Sequence, residues 1–241
     1  MRIMLAAATV AALAGGVALA VAGAPKASAI LSLADRDEDD AAPSPRRLVI
    51  GIDLSRSNPL IENPDFAAKV ARRIAGEVSD LGFASEVHVR TFGNFDASSN
   101  TFAYDAVISR HARPENVASE IEKLVASVPE LVESGKWRAQ NKTNIVGFLE
   151  NAVESIGCNG LPTTVILASD GVEDSEYARL KLEDARLPDP DDHPFRGCAE
   201  LQILGIGQGT GSPTQTMRLR SMWGRWARTA GFARFQGLHD W

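Results

Sequence analysis

Asp53, Ser55 and Ser57 stand at alternate positions directly after the apolar run Leu48-Val49-Ile50-Gly51-Ile52. A short unbroken apolar run of this kind fits a strand buried on both faces of a parallel sheet, and Asn58-Pro59 turns the chain just beyond it. One carboxylate and two hydroxyls therefore hang from the carboxyl end of a buried strand, the edge at which open α/β sheets bind ligands. All are hard oxygen donors, and a hard cation such as Mg²⁺ takes about six oxygens in near-octahedral order. The loop supplies part of such a shell. Thr143, ahead of an apolar-periodic helix, offers another hydroxyl, and Asp170 another carboxylate, at the end of a second buried run, Thr163 to Ser169. If the strands ending in Asp53 and Asp170 are parallel neighbours, the two carboxylates meet at one edge, and a helix starting near Thr143 presents its hydroxyl beside them.

A D-x-S-x-S loop, a downstream Thr and a later Asp, here Asp53, Ser55, Ser57, Thr143 and Asp170 in that order, resemble the metal-ion-dependent adhesion site of the von Willebrand factor A (vWA) family, over about residues 46 to 240. The resemblance implies a three-layer, doubly wound α/β fold, Rossmann-like, with a mostly parallel sheet and one antiparallel edge strand. It also implies that the two serines and the threonine face a divalent cation, Mg²⁺ or alternatively Mn²⁺ or Ca²⁺, while the aspartates act mostly through water and hydrogen bonds. One coordination position is then left for an Asp or Glu of a protein partner. A metal poor in directly bound charge stays electrophilic and gains strongly from that last carboxylate. The competing account of the loop is an ordinary strand-to-helix turn in which Ser55 and Ser57 cap a helix.

Catalysis lacks parts. There is no G-x-S-x-G elbow and no H-E-x-x-H motif. His88, His111, His193 and His239 lie on segments that topology places away from Asp53, and the position two residues after Asp53 is a serine rather than a second aspartate. A protein-binding domain is thus the leading expectation, and a metal-assisted phosphoester hydrolase using the same edge is the alternative. The glycine run Gly205 to Gly211 follows a strand, but its spacing only approximates a dinucleotide fingerprint and it comes late in the domain; a turn accounts for it, with no small-molecule cofactor.

Residues 1–29 read as a secretory signal peptide: Arg2, the apolar stretch Ile3 to Ala22, and the small-residue site Ala27-Ser28-Ala29. An uncleaved membrane anchor is the alternative, and only then would the chain touch a membrane. Removing 29 of 241 residues leaves 212, and taking Arg2 and Lys26 with them turns 25 basic against 31 acidic residues, net −6, into net −8. So acidic a chain does not bind nucleic acid nonspecifically. Export places it in a bacterial periplasm or outside the cell, where a disulfide is permitted. Cys158 and Cys198 each precede a strand-like run and would meet at the amino ends of neighbouring strands, opposite the metal edge. Residues 30–45, acidic and then Pro-rich, read as a linker, and 46–241 as the domain.

The elements that must position these residues follow from periodicity. Pro64 to Leu81 is helical and Ser85 to Phe92 alternates as a strand. Thr101 to Ile108 offers an antiparallel partner through a hairpin-like connection. Arg113 to Ser134 is helical with a break near Pro129; Asn144 to Ile156 and Thr216 to Gly231 are helices; Glu200 to Ile206 and Phe232 to Leu238 are strands. Leu187 to Phe195, with three Pro and three Asp, is an insertion-like loop, and Glu173, Asp174 and Glu176 crowd the proposed site or face a helix dipole.

Overall fold

In the computed structural model, residues 43–94, 100 and 102–241 are described. The expected signal peptide, most of the expected linker and part of the expected hairpin connection lie outside them. Six strands form one sheet in the order β3-β2-β1-β4-β5-β6. They are β1 (Arg47–Asp53), β2 (Glu86–Phe92), β3 (Ala103–Val107), β4 (Thr163–Ala168), β5 (Cys198–Leu204) and β6 (Arg234–Leu238). All pairings are parallel except that of β2 with the edge strand β3. This is the doubly wound, mostly parallel architecture that the sequence resemblance implies.

The central strand β1 is buried along its whole length, as its unbroken apolar run requires. Leu48, Ile50 and Ile52 face one layer, made by α1 (Pro64–Ser79), α2 (Pro114–Ala126) and α3 (Val128–Glu133). Val49 faces the other, made by α4 (Ile145–Ser155) and α5 (Pro213–Ala230). Each buried Leu or Ile contributes about 1.5–3 kcal/mol, so the two apolar faces of β1 fix its place at the centre. The break before α3 falls at Ser127, and Pro129 sits in the first turn of the new helix, where its missing N–H costs nothing.

The β4–β5 crossover departs from regular winding. Residues 169–197 contain no helix. Pro188, Pro190 and Pro194 interrupt any helical run there, and the segment is anchored by buried Leu180 and Phe195. Arg218 on α5 ties it down further, donating to the carbonyls of Leu180, Leu182 and Ala185. β5 starts at Cys198, two residues earlier than its apolar pattern suggests, because Cys198 pairs with Thr163 of β4. Cys158 and Cys198 form a disulfide with Cα atoms 5.0 Å apart, at the amino edge as expected.

Gly51 sets the distance between β1 and α4. A Cβ there would lie 2.7 Å from the Phe148 ring and 2.9 Å from Leu167 Cδ2. The absent side chain lets α4 press Phe148 onto the sheet, where it also stacks on Phe92 at 4.6 Å between centroids. The start of α4 is thereby held close to the carboxyl end of β1.

Candidate metal centre

Asp53, the last residue of β1, is fully buried. Its Oδ1 accepts from the Ser55 amide at 2.8 Å and its Oδ2 from the Ser169 hydroxyl at 2.7 Å. Asn58 joins the ends of β1 and β4 by donating to the carbonyls of Asp53 (2.8 Å) and Ala168 (3.0 Å). The turn after β1 is thus stitched to the end of β4, and Asp170 arrives one residue beyond Ser169. Its carboxylate accepts from the Val172 amide at 2.9 Å.

Ser55 and Ser57 have their hydroxyl oxygens 3.4 Å apart. Neither caps a helix: Asn58 caps the short 3-10 turn Pro59–Ile61 and Asn63 caps α1. The capping account of the two serines therefore does not hold; their hydroxyls turn to the aspartates instead, Ser55 to Asp53 and Ser57 to Asp170.

Thr143 reaches the same edge through backbone. Gln140 exchanges hydrogen bonds with Leu54 and Arg56 on either side of Ser55, each at 2.8 Å. Asn144 N donates to Gly93 O at the end of β2 (2.8 Å), and Thr143 exchanges amide and carbonyl bonds with Asp174 (3.3 and 2.9 Å). The threonine segment is laced to the β1 loop on one side and to the chain beyond β4 on the other. Thr143 itself is 1% exposed.

Burial raises the pKa values of both aspartates. For Asp53 desolvation leads, followed by the repulsion of Asp170; the Ser169 hydroxyl and Ser55 oppose it. For Asp170 desolvation leads, with the Val172 amide, the Ser57 hydroxyl and the Lys181 charge pulling the other way. Two carboxylates buried side by side repel unless a proton or a cation stands between them. The donors present, two neighbouring hydroxyls, a buried threonine on the adjoining segment and an electrostatically strained pair of aspartates, fit a hard divalent cation. Among the described residues no three or more His, Cys, Asp or Glu side chains cluster in a way that could hold a metal. A metal here would rest on hydroxyls with carboxylates behind them.

Several contributors were not singled out as site residues by sequence: Ser169, Asn58, Gln140 and Glu173. The Asn-Pro dipeptide and the Ser directly before Asp170 were visible signals, while Gln140 had none. Glu173 is buried and accepts from the amides of Ile145 (2.8 Å) and Val146 (3.1 Å) and from the Ser175 hydroxyl. The acid does face a helix dipole, that of α4. Asp174 pairs with Lys142 at 3.0 Å and, more loosely, with Lys181 at 3.9 Å. Trp137 packs on Phe102 at 5.1 Å and acts as an anchor. His193 bonds to the Thr229 carbonyl at 2.5 Å. His239 bonds to Ile206 O at 2.9 Å, on β6's side of the sheet, three strands from β1. Gly205, Gly207, Gly209 and Gly211 all have positive φ, which explains that run as a glycine-dependent turn.

No model of a known protein family matches the chain, and no curated protein matches it. Solved structures similar to it include proximal thread matrix protein 1 from the mussel byssus, at 13% identity and TM-score 0.44, covering 83% of this chain and 45% of that one. Others are the pilus adhesin SpaC from Lactobacillus rhamnosus GG in its open conformation, at 12% identity and TM-score 0.40, covering 83% and 29%, and the human COPII-coat protein Sec24c, at 13% and 0.36, covering 84% and 31%. The chain spans less than half the length of each of these proteins. Likenesses this distant say nothing about its function.

Proposed function

We propose that this chain is an exported, metal-dependent protein-binding domain of vWA type. Ser55, Ser57 and Thr143 hold Mg²⁺, or alternatively Mn²⁺ or Ca²⁺, Asp53 and Asp170 orient the site from behind, and an Asp or Glu of a protein partner completes the shell. The observation that carries this reading is the buried carboxylate pair at one sheet edge: Asp53, fully buried, is repelled by Asp170, and the Ser55 and Ser57 hydroxyls, 3.4 Å apart, lie beside them on the loop that Gln140 bonds to the threonine segment. Two buried carboxylates that repel each other are costly unless a proton or a cation stands between them.

The cation would supply a Lewis-acidic point of attachment. This chain's own residues do the rest. Ser55 and Ser57 face it as neutral donors, and the hydrogen bonds from Ser55 N and Ser169 keep the Asp53 carboxylate fixed. Export is supported by the Cys158–Cys198 disulfide, and among the described residues no helix is long and apolar enough to cross a membrane.

The test is a pull-down from an envelope extract with immobilised protein in Mg²⁺ or in EDTA. A partner retained only with Mg²⁺, and released by Asp or Glu substitution in that partner, supports the reading. Identical partners in both lanes overturn it.

A further inference from the structure

The first turn of α4 has an unusual cap. Its orphan amides are all accounted for: Asn144 N goes to Gly93 O, Gly147 N to the Asn144 side chain at 2.8 Å, and Ile145 N and Val146 N to the single carboxylate oxygen Oε2 of Glu173. Glu173 comes from a distant part of the chain, three residues after Asp170, and is fully buried. Its own backbone is fixed as well, since its carbonyl accepts from Leu180 N at 2.8 Å and the neighbouring Asp174 is zipped to Thr143. Between Asp170 and Glu173 the chain is held by the Trp223 indole, which donates to Gly171 O at 2.7 Å.

We propose that Glu173 is a positioning residue of the metal centre, which sets the threonine loop in register with Asp170 by clamping the first two amides of α4. The assignment rests on the metal-dependent binding proposed above. Thr143 lies two residues before Ile145, on the segment that the clamp draws toward the end of β4. Asp170 lies three residues before Glu173, on the segment that does the drawing. One carboxylate thus ties together the two stretches that deliver a donor hydroxyl and a supporting carboxylate from opposite sides. A helix N-terminus attracts such a carboxylate on its own account, but here the link also adds a buried clamp to the Thr143–Asp174 backbone pair and the Lys142–Asp174 ion pair that join the same two stretches nearer the surface. Metal-site supports of this kind, one step removed from the ion, change affinity by about 10–100-fold when removed.

The experiment is calorimetric titration of purified protein with MgCl₂ at pH 8, for the native protein, Glu173→Ala and Glu173→Gln, beside thermal melts in EDTA. Glu173→Gln keeps one acceptor oxygen and serves where the alanine variant fails to fold. The expected result is a loss of Mg²⁺ affinity of about tenfold or more in Glu173→Ala, with partial rescue in Glu173→Gln. Hydrogen exchange should show Mg²⁺-dependent protection of the Ile145 and Val146 amides in the native protein and its loss in the alanine variant. Glu173 variants that melt lower in EDTA but bind Mg²⁺ within twofold of native overturn the assignment and leave the metal site standing. Native protein that takes up no Mg²⁺ overturns the metal site itself, and this role with it.

Discussion

The Ser169 hydroxyl donates to Asp53 Oδ2 across 2.7 Å, joining residues 116 apart in the chain. The bond locks the end of β4 against the end of β1 and places Asp53 and Asp170 side by side. Two buried carboxylates in that position oppose folding until a cation screens them.

Asp53→Asn keeps the shape of the side chain and removes the repulsion. In EDTA it should be as stable as the native protein or more so, by about 1 kcal/mol, while the rise in melting temperature that MgCl₂ gives the native protein disappears. A variant still stabilised by Mg²⁺ to the native extent would remove Asp53 from the site.

Ser55→Ala, Ser57→Ala and Thr143→Val each delete one hydroxyl. The Ser55 and Ser57 hydroxyls lie 3.4 Å apart and each also bonds a site aspartate, so stability in EDTA should fall by about 1 kcal/mol for each serine and by no more for Thr143. Mg²⁺ affinity should fall about tenfold for each, equivalent to about 1.4 kcal/mol. Titration calorimetry checks this, and unchanged affinity in Thr143→Val takes that residue out of the donor set.

Burial raises the Glu173 pKa from 4.5 to about 7, against the hydrogen bonds from Ser175, Val146 and Ile145. The folded protein therefore holds this proton more tightly than the unfolded chain does. The resulting stability is complete below pH 4.5 and is lost as pH rises through about 7. Relative to Glu173→Gln, the native protein in EDTA should lose roughly 3 kcal/mol between pH 4 and 8. Denaturant titrations across that range test it, and parallel curves for the two proteins would contradict the shift.

The disulfide closes a sequence separation of 40 at the amino edge of the sheet, away from the metal centre. Reduction should lower stability by about 4 kcal/mol in the chain-entropy model and leave Mg²⁺ affinity unchanged. Mass measurement of exported protein with and without reductant gives the pairing directly: two free thiols before reduction would be decisive against it.

Much of the scaffold was legible residue by residue. The apolar run 48–52 marked the central strand because only a doubly buried strand tolerates no polar side chain, and the three-and-four spacing of Phe66, Val70, Ile74 and Val78 marked α1. The start of β5 was misplaced by two residues because Cys198 and Ala199 carry no strand pattern; pairing with β4 includes them. The crossover 169–197 forms no helix of its own, so the helix dipole that Glu173 meets is that of α4.

By itself the sequence determined the local chemistry: which positions carry oxygens, which segments alternate or repeat, and that Asp53, Ser55 and Ser57 follow a buried strand. Those are short-range properties, set by side-chain type and spacing within a few residues. Only the tertiary structure decided that Ser169 rather than water satisfies Asp53, that Gly51 admits Phe148 and so brings α4 to the edge, and that Glu173 caps a helix that begins 28 residues earlier. Such contacts depend on strand order, register and helix approach. Those are consequences of packing the whole core at once, and no window of sequence contains them.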